Sequence, residues 1–458
     1  MVFSICAVVF KNKLSAVGLV PSFGRFISHL HLLHHHILPT MSDQEAGVVT
    51  PSDDAILTKE QIDQLGRARP AIFKTWLAEW AFVFTVVTSM MMSEFFISGF
   101  NIILPPVAES LKIPDSARTW PASAINIATA GLLLPFSRLC DIYGGRYVFL
   151  GGHTWMCIWS LICGFSNNPE MLIVCRAMQG VGAAAFVPAG LALLGQTYRP
   201  GPRKNLVFSI WGALACVGFY AGIFIAAVSA NFITWRWFFW IGAIIVSAIV
   251  VSGWFSIPHS TGIDKSIKMD WLGIVTIVPG LVLVVFPFTD AGQAPDGWRT
   301  PYIYVTLIIG VLFLAVAVYV QGWVSKQPLL PGELFKPKYM KRLIVILFCA
   351  YGVFGLFLFY ASFYMETVLH TTPIQTAAWF TPLAVGGMVL AICGGFVMHV
   401  IPNTALMIIS GLGFLLSVLL FALIPADGKS KSFLYWAYVF PAMLGGTIGV
   451  DITFNVTK

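Results

Sequence analysis

Long apolar runs separated by short polar connections fill the chain from Trp76 onward. A helix needs about 20 residues to cross the roughly 30 Å hydrocarbon core of a bilayer, and the runs have that length. They lack the alternation of a membrane β-barrel strand, and irregular backbone cannot face lipid. The pattern therefore predicts an all-α integral membrane protein with twelve transmembrane helices. The predicted spans are residues 78–104, 119–139, 147–166, 170–196, 205–230, 236–257, 271–289, 301–323, 343–368, 374–399, 404–424 and 433–456.

Composition strengthens this prediction. Hydrophobic residues make up 58% of the 458-residue chain and charged residues 10%, whereas soluble domains carry about 25% charged residues. The net charge of +7 is not gathered into a long basic patch, which argues against nucleic-acid binding. The eight cysteines show no metal-ligand spacing, and the chain has no catalytic triad or phosphate-binding loop. We therefore expect no metal, no cofactor and no enzymatic activity.

Lysine and arginine in the loops predict the orientation, because they are enriched on the cytoplasmic side. With the N-terminus inside, the inner loops carry twice as many of these residues as the outer loops. We therefore expect both termini to be cytoplasmic. The plasma membrane is the expected location, with the vacuolar membrane as the alternative.

Residues 1–75 are expected to form a disordered cytoplasmic tail. Residues 1–40 contain no Asp or Glu and include HLHLLHHH, so a transit peptide and a metal-binding His tract are both open interpretations. The interpretation we favour is an upstream extension of the gene model. Met41 would then be the true start, since MSDQEAGVVTPSDD reads as an ordinary acidic tail.

The connection RLCDIYGGR, residues 138–146, concentrates charge and glycine between two apolar spans. Gly144 and Gly145 allow a tight reversal, and Arg138 and Arg146 would anchor the turn to the inner membrane face. Asp141 is unusual here because an acid contributes little to retention on that face. It should therefore have a partner.

This connection resembles the loop of the major facilitator superfamily, which reads roughly Gly-x-Leu-Ala-Asp-x-x-Gly-Arg-Lys. Ser137 and Gly145 depart from that pattern. The resemblance implies a latch that holds two halves of the bundle outward-facing, with its acid at the N-terminal dipole of a helix from the other half. The alternative is a generic loop whose arginines reach the membrane surface. The implied latch residues are Asp141, Gly144, Arg146 and Arg138.

Span four is similar to the family pattern Arg-x-x-Gln-Gly-x-Gly-Ala through Arg176, Gln179, Gly180, Gly182 and Ala183. An arginine near the centre of a membrane helix costs at least about 2.5–3.5 kcal/mol, so it is rarely kept without a role. The resemblance implies that Arg176 helps to control proton uptake, and the small residues allow close helix packing. Alternatively, Arg176 extends to the membrane interface.

Span five resembles the Gly-rich antiporter signature of drug exporters. Gly212, Gly218 and Gly222 are retained as expected packing positions, but Phe219 stands where the family has proline. That departure leaves an importer open as an alternative. The phrase ITWRWFFWIGA, residues 233–243, is similar to the entry of span six in fungal multidrug and metabolite exporters.

Two acids inside the spans are the main candidates for proton coupling. Glu94 lies two residues from Phe96, which occupies the position of the exporters' Asp, and two residues are about 200° apart on a helix. Glu94 is thus a cavity acid, a buried hydrogen-bonded acid or an interfacial residue. Asp451 is either a coupling acid or a structural one, and Glu366 and His153 are weaker candidates. The predicted coupling residues are Arg176, Glu94 and Asp451.

Two segments suggest a fourteen-span organisation. QPLLPGELF, residues 327–335, resembles the start of the second half in fourteen-span drug:proton antiporters, and residues 435–457 resemble the fourth span of that half. We therefore expect the last two spans to be absent, through truncation or splicing. The predicted parts are a six-helix N-terminal half (76–257), an inserted helix pair (258–324), a basic cytoplasmic linker (325–342) and a partial C-terminal half (343–458).

Together these features predict a monomeric, proton-coupled transporter in a lipid bilayer. It would export amphipathic drugs or secondary metabolites by alternating access, with a small organic molecule and protons as its partners. The alternatives are a proton symporter that imports a nutrient or siderophore, and a truncated membrane protein that does not transport.

Overall fold

The computed structural model describes residues 66–114, 117–199, 201–259, 266–292, 294–397, 401–425 and 430–457. Most of the predicted N-terminal tail, with the His tract and Met41, lies outside the described residues. Every regular element in the described residues is helical, which confirms the all-α prediction.

Twelve long helices span the described ranges, one for each apolar run. Ten of them are long and apolar enough to cross a membrane. The other two, α3 and α10, coincide with predicted spans. The helices are α1 (Trp76–Ser110), α2 (Trp120–Tyr143), α3 (Gly145–Gly164), α4 (Pro169–Thr197), α5 (Pro202–Phe232), α6 (Arg236–Ser256), α7 (Trp271–Asp290), α8 (Pro301–Tyr319), α9 (Lys338–Thr367), α10 (Pro373–Val397), α11 (Asn403–Ala422) and α12 (Phe440–Thr457).

Polar side chains set where several helices begin. Thr75, Asn168 and Asp270 each accept a hydrogen bond from the backbone N–H three residues on, at 3.2, 2.8 and 3.0 Å. Each bond satisfies an N–H that has no partner within its helix. The starts of α1, α4 and α7 are therefore fixed by the residue just before each apolar run.

The Gly-Gly pair of the α2–α3 connection serves two purposes. Gly144 has φ 87°, a left-handed conformation that side chains with a Cβ rarely adopt, and it ends α2 and begins α3. Gly145 is already helical. A Cβ at Gly145 would lie 2.9 Å from Leu193 Cγ of α4, so this position needs glycine for packing. The reversal itself depends on Gly144.

Glycines on α4 and α5 allow close backbone contact between helices. Those of α4 meet α2 and α3, and those of α5 meet α1. A Cβ at Gly182 of α4 would lie 2.9 Å from the carbonyl oxygen of Gly152 in α3. Added Cβ atoms at three further predicted packing positions would overlap a backbone carbonyl of the facing helix. These positions are Gly180, against α2, and Gly218 and Gly222, against α1.

Helices α1 and α4 are the most enclosed. In the most apolar stretch of each, 67% and 61% of the residues are buried. Other helices keep large apolar side chains exposed, such as Phe255 at 82%, Trp323 at 76% and Phe348 at 82%. Such a surface fits lipid contact, because a protein in water rarely exposes so much contiguous apolar area.

Helices α7 and α8 pack on each other, and α7 packs on α2. At one end of the bundle, Arg138 at the end of α2 binds both flanks of this pair. Its Nε donates to the carbonyl of Lys268, 3.1 Å away, and its Nη2 donates to the carbonyl of Gln327, 3.2 Å away. Arg138 therefore joins α2 to the beginning of α7 and to the segment after α8.

At the opposite end, Asp290 closes α7 against α2. Trp120 Nε1 donates to Asp290 Oδ1 at 2.9 Å, and the Tyr302 hydroxyl of α8 donates to Asp290 Oδ2 at 2.8 Å. The ring of Trp120 also packs on Phe286, with centroids 5.3 Å apart. Helix α7 is thus bound to α2 near both of its ends.

Candidate functional site: the central cavity

A cavity of about 810 Å³ opens between seven helices. Its walls come from α1, α2, α5, α7, α9, α10 and α12, and most of them are apolar or aromatic. Two of the predicted coupling residues, Glu94 and Asp451, line it. The other polar side chains of the lining are Ser98, Asn101, Thr119, Ser123, Asn126, Cys216, Thr289, Tyr351 and Tyr360.

Glu94 faces this cavity from α1. Among the described residues no group hydrogen-bonds or pairs with its carboxylate, which is surrounded mainly by apolar groups. Phe96, two residues on, points away from the cavity and stacks edge-on with Phe238 of α6, with centroids 6.0 Å apart. Of the three positions open to Glu94 from the sequence, the structure shows the cavity position. Its role in proton coupling stays a prediction.

Asp451 enters the cavity from α12 and is more enclosed, at 7% exposure. Its Oδ1 accepts a hydrogen bond from Cys216 Sγ of α5 at 3.8 Å. A Cβ at Gly387 of α10 would lie 3.0 Å from Asp451 Oδ2, so α10 also approaches the carboxylate closely. This setting suits a structural acid as well as a coupling acid, so both interpretations stay open.

Tyr351 of α9 was not identified from the sequence. It lines the same cavity, and both Glu94 and Asp451 act electrostatically on its hydroxyl. The three groups thus belong to one polar cluster formed by α1, α9 and α12. Nothing in the sequence distinguishes Tyr351 from the many aromatic residues of the spans.

Arg176 does not line the cavity. It is 0% exposed, so it does not extend to the membrane interface. Its Nε donates to the carbonyl of Pro121 in α2 and its Nη1 to that of Phe96 in α1, both at 3.1 Å. Its guanidinium carbon lies 4.2 Å from the ring centroid of Phe100. The positive charge of Arg176 is therefore held by backbone carbonyls, and it lies outside the cavity that Glu94 and Asp451 line.

The Arg176 contacts continue into a hydrogen-bond chain. Arg176 Nη1 also donates to Gln179 Oε1 at 3.0 Å, and Gln179 Nε2 donates to Ser160 Oγ of α3 at 2.8 Å. All three residues are fully buried. The chain connects α1, α2, α3 and α4, so the Arg and Gln of the span-four pattern hold four helices in register.

The predicted latch residues fall into separate contacts. Arg146 is 4% exposed and donates to the carbonyls of Trp254, at 2.8 Å, and Ile257, so it caps the C-terminal end of α6. Arg146 is thus buried against α6, and its expected part in a latch at the inner membrane face stays a prediction. Asp141 interacts electrostatically with Arg138, and its carboxylate makes no hydrogen bond among the described residues.

The remaining sequence candidates lie elsewhere. Gly212 of α5 lines the cavity, where the absence of a side chain leaves space. His153 is fully buried, and its Nδ1 hydrogen-bonds the Phe149 carbonyl within α3 at 2.8 Å, which is a structural contact. Glu366 lies near the end of α9, outside the cavity lining.

Comparisons with known proteins agree with this architecture. The family model described as Major Facilitator Superfamily matches residues 85–457. The low affinity ammonium transporter of Saccharomyces cerevisiae is 32% identical over 83% of this chain and 74% of its own. Efflux pump terJ of Aspergillus terreus is 28% identical over 91% of this chain and 80% of its own.

Among solved structures, the crystal structure of a peptide transporter aligns with a TM-score of 0.58. It is 16% identical and covers 84% of this chain and 83% of that one, a likeness that concerns the fold alone. The family match extends over most of the chain and includes every wall of the cavity. The chain therefore belongs to the Major Facilitator Superfamily and is a multi-pass membrane transporter.

Proposed function

We propose that this transporter exports amphipathic organic molecules in exchange for protons. The observation that supports this most strongly is the central cavity, at about 810 Å³ with mainly apolar and aromatic walls and two carboxylates. Sites for small organic ligands commonly measure about 300–1,000 Å³ and combine apolar walls with a few polar groups. The cavity is therefore suited to a molecule with an apolar body and one polar group.

Protons would be carried by the two cavity carboxylates, Glu94 and Asp451. An ionised carboxylate is costly in apolar surroundings, and a proton removes that cost. Each proton that moves inward delivers about 2.3 kcal/mol per 100 mV of membrane potential. Arg176 would act on this site through α1, because it binds the carbonyl of Phe96 only two residues from Glu94.

We place both termini in the cytoplasm, on the loop distribution of lysine and arginine. The plasma membrane is the location that we favour for an exporter, with the vacuolar membrane as the alternative. The cavity lies within one chain, which supports a monomer as the transporting unit. The two sides would be exposed in turn as helices around the cavity rock against each other.

The test uses the purified full chain in liposomes with an imposed pH gradient. Two cargoes are used: ethidium, whose charge does not change with pH, and chloramphenicol, which is neutral. Protein-free liposomes give the background of passive cargo entry. With an acidic lumen, antiport accumulates at least one of these cargoes inside, and Glu94→Gln removes that accumulation. Glu366→Gln, a neutralised acid outside the cavity, is the matched control and should transport normally.

Other outcomes identify the alternatives. Symport would expel cargo from an acidic lumen, which would contradict export and favour the importer. Transport that ignores the pH gradient would contradict proton coupling. Failure to move any cargo, with a protein that stays monodisperse, would favour a membrane protein that does not transport these molecules.

A second candidate is the transport of small ammonium-type cations. The similarity to a low affinity ammonium transporter, at 32% identity, favours it. Uptake of radiolabelled methylammonium at equal pH on both sides tests this directly. Uptake above the protein-free background, lost in Glu94→Gln and retained in Glu366→Gln, would support it.

A further inference from the structure

We propose that the C-terminal end of α7 belongs to the cargo site, where it completes a neutral hydrogen-bonding subsite with α2. This subsite would bind a hydroxyl, carbonyl or amide group of the cargo and would require no charge on it. The inference rests on the proposed function, because it concerns cargo recognition in the same cavity. It goes further in giving α7, which the sequence predicts as half of an inserted pair, a direct part in that recognition.

One side of α2 brings polar groups to the cavity. Thr119, Ser123 and Asn126 line it and are spaced four and three residues apart, so they lie along one face of the helix. The Thr119 hydroxyl oxygen is buried and has no hydrogen-bond partner among the described residues. Asn126 Nδ2 donates to the Ala122 carbonyl at 3.4 Å, a long bond that leaves most of the amide's capacity unused. This face of α2 therefore has hydrogen-bonding capacity to offer a ligand.

The end of α7 lies beside this face. Phe288 and Thr289 line the cavity, and their neighbour Asp290 accepts a hydrogen bond from Trp120 Nε1 at 2.9 Å. Trp120 directly follows Thr119 in the chain. The contact therefore holds Thr289 next to the polar face of α2, and Asp290 positions the α7 part of the subsite without lining the cavity itself.

Thr289 can bind a further group. Its Oγ1 donates to the Val285 carbonyl within α7 at 3.3 Å, and the oxygen keeps its lone pairs to accept a hydrogen bond. The amide of Asn126 can both donate and accept. Together the two side chains match a hydroxyl group, which also does both, and the aromatic ring of Phe288 offers packing surface for an apolar cargo body.

Such a subsite should discriminate between cargoes of equal shape. A polar group that loses its water on binding needs a new hydrogen bond, so a cargo with a methyl group in place of its hydroxyl leaves the subsite unsatisfied. Because Thr289 and Asn126 carry no charge, this discrimination does not involve a proton. It therefore differs in kind from any role of the two cavity carboxylates.

The test compares two ligands of the same shape. 4-Phenylphenol carries a hydroxyl group that is uncharged at neutral pH, and 4-methylbiphenyl has a methyl group in its place. Binding of the tritiated ligands to the full chain in lipid nanodiscs is measured by equilibrium dialysis, with uptake by empty nanodiscs subtracted. We expect the wild-type protein to bind the phenol at least about fivefold more tightly. The preference should fall at least about twofold in Thr289→Val and should be nearly absent in Asn126→Leu/Thr289→Val.

Two controls make the result specific. Thr276→Val makes the same change on α7 outside the cavity lining, where the hydroxyl donates to the Leu272 carbonyl, and it should keep the wild-type preference. Unchanged binding of 4-methylbiphenyl to Asn126→Leu/Thr289→Val shows that the cavity is intact.

Three outcomes would overturn the proposal. The first is equal affinity of the wild-type protein for the two ligands. The second is a preference in Thr289→Val equal to that of the wild-type protein, which would exclude α7 from the subsite. The third is a preference that survives in Asn126→Leu/Thr289→Val but is lost in Glu94→Gln, which would assign the hydroxyl to the carboxylate.

This binding test is independent of the transport assay. A hydroxyl preference that depends on Thr289, without transport driven by pH, would leave the subsite standing and contradict proton-coupled export. Antiport of chloramphenicol together with equal binding of the two biphenyls would support export and contradict the subsite.

Discussion

Replacing Arg176 with lysine would test whether this residue works through its geometry or only through its charge. The guanidinium makes three hydrogen bonds at 3.0–3.1 Å, to the carbonyls of Pro121 and Phe96 and to Gln179 Oε1. A lysine keeps the positive charge, but its single ammonium group cannot reach three acceptors that lie in different directions. The Arg176→Lys variant therefore loses about two of these bonds while it still buries a charge.

The expected loss can be estimated from those bonds. A hydrogen bond to a charged group contributes about 1.5–3 kcal/mol, so two of them predict a destabilisation of about 3–6 kcal/mol. We expect a melting temperature several degrees lower, measured in detergent micelles by fluorescence-detected size-exclusion chromatography. Arg138→Lys is the control, because its bonds lie at the exposed end of the bundle, where such contacts contribute at most about 1 kcal/mol. A melting temperature for Arg176→Lys equal to that of the wild-type protein would refute this reasoning.

Three further predictions concern packing and the α2–α7 contact. Gly222→Ala should lower the melting temperature, because the added Cβ would overlap the Phe95 carbonyl of α1. Gly151→Ala is the control and should leave the melting temperature unchanged, because the space around Gly151 is open. Equal effects of the two substitutions would contradict the packing argument. Asp290→Asn should destabilise the protein by about 1–3 kcal/mol, since an NH2 group, which is a donor, then replaces one of the two oxygens that accept from Trp120 and Tyr302. Disulfide cross-linking of cysteines placed beside Trp120 and Asp290 should fall in that variant, and unchanged cross-linking would count against the contact.

The helices and the family could be predicted because the membrane imposes a length and a polarity that the sequence shows directly. Each predicted span corresponds to a helix. The cavity position of Glu94 followed partly from geometry, since two residues on a helix point in nearly opposite directions. The sequence could show that Phe96 and Glu94 diverge, but only the fold could show which of them faces the cavity.

Other parts of the site depend on contacts between distant segments. The cap that Arg146 forms on α6 joins residues more than a hundred positions apart, and no local pattern indicates it. Tyr351 is one of many aromatic residues in the spans, and Asp290 is a polar residue at a helix end, so neither is distinctive in the sequence. Thr289 lines the cavity only because α7 packs beside α2. Such tertiary placement is not encoded in hydrophobic periodicity.

The attachment of α7 to α2 has a consequence for how the transporter moves. Hydrogen bonds through Asp290 at one end, supported by the weaker Arg138 contacts at the other, connect the two helices near both ends. We therefore expect α2 and α7 to tilt together, so that the distance between their cavity-facing residues, such as Asn126 and Thr289, changes little through the cycle. The distance between a pair of spectroscopic labels on α2 and α7 would then serve as an internal reference, against which the displacement of α9 or α12 can be measured.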